Sequence, residues 1–508
     1  MIKRIKELER ISRLLEPTSA ERKEVRKKVI SYSEDFLKNI EKIKAYNVTP
    51  DKGIALLESP ITETPISTDK AIELLQKNVD FPGLNPASGG HLAYIPGGGI
   101  YYSALGDYMA DIFNRYAGVF YASPGAVRME NMLIKWMAEI VGFTSPPDPL
   151  SHGRGERGQG GVRGEVAGNL TSGGSLANLM GIVTARDAKN ISSANITKSV
   201  IYLTKQVHHS VSKAIRIAGL KECVIRYVPM DAQSKMNVEE LQKIVLLDKK
   251  NKLNPFLVIA SAGTTDVGAV DPLEDIGKLA KKNDLWYHID AAYGGFFVLT
   301  EEGKKKLKGI ELADSLVIDP HKGLFLPYGL GVILVKNAEK LRESHFYQAQ
   351  YLQDAIDGAD EDSPADLSPE LTKHFRGLRL WLPLKLMGLK PFRACLEEKL
   401  LLAKYFHNEV QKLGFETGEE PQLSVVTYRW IPSQPRPLSP GRGEEYTNAF
   451  NKKLMEAVIA DGRIFISSTM IDNKFTLRFA CLAFRTHLKQ VDLLLKILRE
   501  KVKELERK

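Results

Sequence analysis

Residues 317–329 read VIDPHKGLFLPYG. The run 314–318 (DSLVI) has the apolar character of a strand, and the chain then passes through Asp319, Pro320, His321 and Lys322 into a second apolar run. A lysine entering a core costs several kcal/mol unless it is paired or neutralised. Conversion to an imine is one way to neutralise it, so Lys322 raises the question of an aldehyde partner.

Working outward, short apolar strands alternate with helical stretches from about 168 to 335. Further strands are expected at 199–203 (SVIYL), 223–228 (CVIRYV), 256–261 (FLVIAS), 285–289 (LWYHI) and 331–335 (GVILV). This alternation predicts an α/β fold with a mainly parallel central sheet covered on both faces. Ligands of such sheets bind beyond the carboxyl ends of the strands. The chemistry-bearing clusters fall there. HIDAAYGG (288–295) puts Asp290 after one strand, and DPHKG puts Lys322 after another. TKQVHHSVSKA (204–214) and AGTTDVGAVDP (262–272) follow two more, and TSGGSLANLMG (171–181) precedes them all.

Each cluster has a bland reading: Gly-Gly-Ser a loop, a strand-end Asp a cap, a Lys a surface residue, a His a structural residue. Together they fit one cofactor, pyridoxal 5′-phosphate. The turn at Gly173, Gly174 and Ser175 lets backbone N–H groups and a hydroxyl approach a phosphate at a helix start. Asp290 offers a carboxylate to the pyridine nitrogen, keeping it protonated so that the ring draws electrons. Lys322 can form the Schiff base. His208 or His209 can stack on the ring; an adjacent pair lacks the spacing of a metal site, and no metal is expected.

Bulk composition agrees with an ordinary enzyme. The 508 residues are 43% hydrophobic and 26% charged, enough for two or three domains. The formal charge of +9 is a weak argument for nucleic acid, and much of the excess lies in the terminal runs MIKRIKELER and REKVKELERK. Nucleic acid is not expected as a partner. Cys223, Cys395 and Cys481 are scattered without metal-ligand spacing, as in a reducing cytoplasm. The N-terminus lacks an apolar signal core, and the longest run free of Asp, Glu, Lys and Arg, 81–106, is rich in Gly and Pro and reads as loop and site wall. A cytoplasmic protein without a membrane span is expected.

Three regions are predicted. Residues 1–95 form an N-terminal helical arm and segment, with Thr18 and Glu21 at capping-box spacing. Residues 96–375 form the large α/β domain, and 376–508 a smaller α+β domain with strands at 423–430 and 475–484. PLSHGRGE (149–156) and PLSPGRGE (437–444) match at seven of eight positions. They mark low-complexity inserts, about 146–166 and 433–446, read as surface loops without catalytic role. An RNA-binding role for these Arg-Gly tracts is the alternative.

From about residue 50 to 500, less the inserts, the chain resembles the group II pyridoxal-phosphate-dependent amino-acid decarboxylases, which include the aromatic-amino-acid and glutamate enzymes. HIDAAYGG and DPHKG carry the resemblance, supported by ASPGAVRMENMLIKWM (122–137) and FRGLRLWLPLKLMGL (375–389). It implies an aspartate-aminotransferase-like (type I) fold and a homodimer whose subunits both line each site. It implies catalytic roles for Lys322, His208 and Asp290. His208 stacks on one ring face and Ala292 packs on the other, with Thr265 near the ring substituents. Gly174, Ser175 and His321 help bind the phosphate. Tyr94 and Gly97 belong to a substrate wall, and Arg478 lies where glutamate-specific relatives bind a substrate carboxylate. Its other reading is a strand-edge salt bridge.

The expected reaction is decarboxylation of an L-amino acid to the amine and carbon dioxide. Three departures bear on it. Members have a mobile-loop tyrosine that returns a proton to Cα, whereas the matching region 353–371 is acidic and has no tyrosine; Tyr347 and Tyr351 lie just before it. Asp319 stands where Asn is common, and Gly97 replaces a hydroxyl-bearing residue. An aldehyde-forming, oxygen-using decarboxylase or a carbon–carbon lyase would use the same cofactor, and detection of amine against aldehyde and peroxide separates these. A non-catalytic basic binding protein on the same fold would have no need of the Lys322, Asp290 and His208 trio.

Overall fold

The structure is a computed structural model, and it describes all residues except 51, 96, 144–165, 347–360, 434–441 and 508. Most of both expected inserts, and Tyr347 and Tyr351, lie outside the described residues.

The large sheet has seven strands: β1 Ala167–Thr171, β2 Ser199–Leu203, β3 Val224–Tyr227, β4 Asn254–Ser261, β5 Trp286–Asp290, β6 Ser315–Ile318 and β7 Gly331–Val335. Their order is β1-β7-β6-β5-β4-β2-β3. Strands β2 to β6 pair parallel, and β7 runs antiparallel to both of its neighbours. Alternate residues serve opposite faces. Val200, Tyr202, Val258 and Ala260 join one core cluster; Ile201, Leu203, Leu257 and Ile259 join the other. Helices Pro124–Ile140 and Leu273–Asn283 cover the first face, and Gly174–Ala188 and His209–Ile217 the second. Each fully buried aliphatic side chain contributes about 1.5–3 kcal/mol, so the run of apolar strands fixes the sandwich.

The register sets the position of the chemistry. Ser261 pairs with Asp290, and Asp290 with Val317, so the carboxyl ends of β4, β5 and β6 are level. Strand β1 was not among the expected strands. AGNLT is short and half polar, yet it is fully buried at the edge of the sheet against β7.

The C-terminal part holds a four-stranded antiparallel sheet of β8 Glu416–Thr417, β9 Val425–Arg429, β10 Ser467–Ile471 and β11 Lys474–Ala480, in the order β8-β9-β11-β10. Helices Lys390–Lys412 and Leu488–Glu506 pack on it. Residues near 90 also join this sheet: Leu92 N–H donates to Phe465 O, and Ala480 N–H donates to Leu92 O. The N-terminal helices Ile2–Ser12 and Ser19–Asn39 bury no residue, and Thr18 and Glu21 make the expected capping box.

Away from the strand ends, Lys373 is the ionic fastener. Its fully buried Nζ lies 3.0 Å from Glu130 Oε2 and donates to Asn169 Oδ1 at 3.0 Å and Leu170 O at 3.1 Å. Breaking one side of such a pair costs about 3–5 kcal/mol, because the other charge stays buried. Lys373→Met should therefore lower the melting temperature more than the double change Lys373→Met with Glu130→Gln. Thermal unfolding followed by circular dichroism checks this, and an equal loss in both would refute it.

Candidate active site

A cavity of about 330 Å³ opens at the carboxyl ends of β1, β2, β4, β5 and β6. Gly174, Ser175, His208, Thr265, Asp290, Ala292, His321 and Lys322 all line it, although they come from five separate stretches of chain. A second cavity, of about 250 Å³ beside Asp271, Glu274 and Lys306, shares no lining residue with it.

At one end the backbone is close-packed. Gly173 has φ +154° and precedes helix Gly174–Ala188. A Cβ at Gly174 would lie 2.8 Å from Asp319 Oδ2, and one at Gly331 would lie 2.4 Å from the Gly173 carbonyl carbon. Neither position admits a side chain, which leaves the helix start open to a ligand. His321 stands beside it, with Nδ1 2.6 Å from Leu330 O. Burial, more than any neighbouring charge, holds this ring below its ordinary pKa. Lys322 sits on the single turn Pro320–Gly323, and its Nζ is 3.1 Å from Asp319 Oδ2.

Deeper in, Asp290 is held by a directional chain of hydrogen bonds. Trp286 Nε1–H donates to Ser315 Oγ (2.8 Å), whose hydroxyl donates to His288 Nδ1 (2.8 Å). His288 Nε2–H donates to Asn178 Oδ1 (2.9 Å), and Asn178 Nδ2–H donates to Asp290 Oδ2 (3.0 Å). The other Asp290 oxygen accepts from Ala292 N–H at 3.1 Å. His288 is neutral, since burial pushes its pKa down to about 4. Asn178 also donates to Ser210 Oγ at 3.2 Å. The Ser210 N–H donates to His208 Nδ1 at 3.2 Å, so His208 carries its hydrogen on Nε2. Burial, above all, lowers the His208 pKa, and Asp290 opposes that shift.

Asn178, Ser210, His288 and Ser315 were not singled out in the sequence. The available signal was the spacing of Asn178, one helical turn after Gly174, which turns both toward the strand ends. Tyr293 was also missed. It lines the cavity, and its hydroxyl oxygen lies 2.7 Å from Ser424 Oγ in the C-terminal part.

Tyr94, Gly97 and Arg478 do not line the cavity. The Tyr94 ring is half exposed and lies against His91 and Phe465. Gly97 packs on the backbone after Lys322: its N–H donates to His321 O at 3.2 Å, and a Cβ there would meet Phe325 Cα at 2.5 Å. A hydroxyl-bearing residue would not fit. Buried Arg478 donates Nε–H to Asp266 O at 2.8 Å and Nη1–H to Ser467 Oγ at 2.9 Å, with a further bond from Nη2 to Thr265 O.

The comparisons with known proteins agree with this geometry. Residues 50–431 match the pyridoxal-dependent decarboxylase conserved domain. An aromatic-L-amino-acid decarboxylase of Bacillus atrophaeus is 31% identical over 452 residues, covering 88% of each chain. The chain belongs to the pyridoxal-dependent decarboxylase family. A phenylacetaldehyde synthase of Petunia hybrida is 28% identical, covering 93% of this chain and 92% of that one. The solved structure of Oryza sativa TDC with PLP and tryptamine superposes with a TM-score of 0.86 at 25% identity, covering 96% of this chain and 99% of that one. The fold is the type I fold of these enzymes. The chain is a carboxy-lyase that uses pyridoxal 5′-phosphate to convert an L-amino acid to the amine and carbon dioxide. Among the described residues, no helix is long and apolar enough to cross a membrane, and no group of three or more His, Cys, Asp or Glu could hold a metal.

The residues fit the cofactor: an anion seat bounded by glycines, a lysine amine, and a carboxylate fixed opposite. Asn178→Leu removes the donor to Asp290 and should weaken pyridoxal phosphate binding by about 1–3 kcal/mol, or roughly 5- to 150-fold. Equilibrium dialysis measures this, and unchanged affinity would show that the hydrogen-bond chain does not set the carboxylate.

Proposed function

We propose that Lys322 anchors the cofactor, that Asp290 keeps its ring nitrogen protonated, and that Gly174, Ser175 and His321 take its phosphate. His208 and Ala292 enclose the two ring faces, and Thr265 stands beside the ring. The observation that supports this assignment is the single cavity that collects all eight side chains and backbone positions. When bound, pyridoxal phosphate supplies an electron sink for the pair released as the Cα–carboxylate bond breaks.

The chain supplies the rest by position and charge. Asp319, with Oδ2 3.1 Å from Lys322 Nζ, positions that side chain in the cavity. Asp290, fixed by Asn178 and the Ala292 N–H, presents its charge without having to reorganise. His208 carries its hydrogen on Nε2 when neutral; we assign the proton returned to Cα to its doubly protonated form, whose Nδ1–H would face Ser210 Oγ at 2.8 Å and which the step leaves neutral. The region 361–371, the described part of the acidic stretch, brings no tyrosine to the cavity.

The substrate we propose is an aromatic L-amino acid. The donors of Arg478 are taken by backbone carbonyls and Ser467, so it offers nothing to an acidic side chain. Tyr94, Tyr101 and Tyr102 do not line the cavity of their own chain, and all three are exposed in the single chain, where a second copy could meet them. All three cysteines are free thiols, which suits a reducing cytoplasm.

We further propose a homodimer that completes each site. Ile2, Ile5, Leu8 and Ile11 repeat at three-residue steps along the first helix, and all are exposed in the single chain. Such a stripe needs a covering surface, and a second copy provides one without any other partner.

Two measurements test these readings. Purified enzyme given L-tryptophan, L-tyrosine, L-phenylalanine or L-glutamate should release carbon dioxide and amine from an aromatic substrate, without stoichiometric peroxide. Lys322→Ala should abolish turnover. Preference for L-glutamate would overturn the substrate reading, and turnover by Lys322→Ala would overturn the anchor. Light scattering should give the mass of two chains, and replacing Ile5 and Leu8 by Glu should shift it toward one; a monomeric, fully active enzyme would refute the dimer.

A further inference from the structure

The seat assigned to the phosphate already contains a carboxylate. Asp319 is 1% exposed, and its Oδ2 accepts from the Gly174 N–H at 3.2 Å while lying 3.1 Å from Lys322 Nζ. Its Oδ1 is buried and, among the described residues, has no hydrogen-bond partner. One anion thus holds the first amide of a helix start that is the natural seat of another anion. A phosphate arriving there meets a like charge, which is unfavourable unless a cation balances both. Lys322 is the present cation, yet its nitrogen is also the one proposed to take the cofactor.

His321 is the remaining group placed to balance the charge. A carbonyl only accepts, so the 2.6 Å contact with Leu330 O puts the ring hydrogen on Nδ1. The neutral ring therefore keeps its lone pair on Nε2, and that nitrogen faces Asp319 Oδ2 at 3.8 Å. The charged groups around the pair are few. Lys322 lies on the same helical turn; Arg379 acts on His321, and His208 feels Asp319, Lys322 and Asp290. Burial lowers the His321 pKa, and a phosphate beside the ring would oppose that shift.

We propose that filling the phosphate seat takes up one proton, onto His321 Nε2, and that Asp319 is the fixed negative charge that makes this uptake necessary. The inference rests on the assignment of the seat to Gly174, Ser175 and His321. The sign follows from linkage: His321 has a higher pKa in the filled seat than in the empty one. Between those two values binding takes up a proton, so affinity for the phosphate rises as pH falls through the window. It is lost as pH rises through the filled-state value.

The test uses the full-length protein stripped of cofactor and the probe 4′-deoxypyridoxine 5′-phosphate, which has the phosphate and no aldehyde. Calorimetric titration at about pH 8, where the probe's phosphate is already doubly charged, in two buffers of different ionisation enthalpy counts protons taken up. Uptake at the ring nitrogen is common to all variants, so the difference between proteins is read. Wild type should take up about one proton more than Asp319→Asn, and about one more than His321→Gln. Either variant matching wild type would overturn the proposal while leaving the seat assignment standing. Should Asp319→Asn fail to fold, the His321→Gln comparison decides alone. A probe that wild type does not bind would overturn both the seat and the proposal.

Discussion

Everything in the site depends on holding a buried carboxylate, Asp290, in one place at the strand ends. An ionised group taken from water costs far more than a domain can spare unless hydrogen bonds replace the water. Two donors do so here, the Asn178 amide and the Ala292 N–H. Asn178 is itself fixed from behind by neutral His288, which is fixed by Ser315, which accepts from Trp286. Each link has one donor and one acceptor, and reversing any of them leaves a buried atom unsatisfied. The three strand ends meet at that chain because β5 carries His288 and Asp290 two residues apart on one face, and β6 carries Ser315 opposite His288.

A second constraint joins the two parts of the chain. Arg478 on β11 is a buried cation whose partners are carbonyl and hydroxyl oxygens, not a carboxylate. Those carbonyls belong to Asp266 and Thr265, at the cavity rim. Tyr293 adds a parallel tie through Ser424, and Gly97 a third through His321 O and the Phe484 N–H. The C-terminal part thus holds the rim of the site in three places without lining it, so a change there acts on the site through loop position.

The lysine that opened the reading of the sequence sits where continuous apolar strands said it should. That much was legible because β2, β4, β5, β6 and β7 are apolar in unbroken runs, and because a site in such a sheet has one place to be. Among the strands not expected, β1 (AGNLT) and β10 (SSTMI) share a physical reason: they are polar enough that pairing, not hydrophobicity, makes them strands. The hydrogen-bond chain behind Asp290 was not read, since its members lie on three separated segments and only the fold brings them into line. Arg478 was placed correctly on a strand, but the expected salt bridge is not there: its partners are carbonyl and hydroxyl oxygens that only the fold brings to it.

The acidic stretch before residue 371 takes its meaning from the structure as well. Glu361 binds Arg128 and Asn131, Asp362 binds Arg342, and Glu370 binds Arg376. Pro364 O accepts from Asn169, next to the ammonium of Lys373. Over 361–371, therefore, the acids fasten the chain across the helix Pro124–Ile140 and β1, and their charge is spent on arginines rather than on the cavity. A segment tied down in this way is poorly suited to carry a proton donor in and out of the site. His208, to which we assigned that role, lies inside the cavity. When the ring is neutral its Nδ1 is occupied by the Ser210 N–H and its hydrogen is on Nε2, and through Ser210 and Asn178 it belongs to the same network as Asp290. A change at Asn178 or Ser210 would therefore reach both His208 and Asp290 at once.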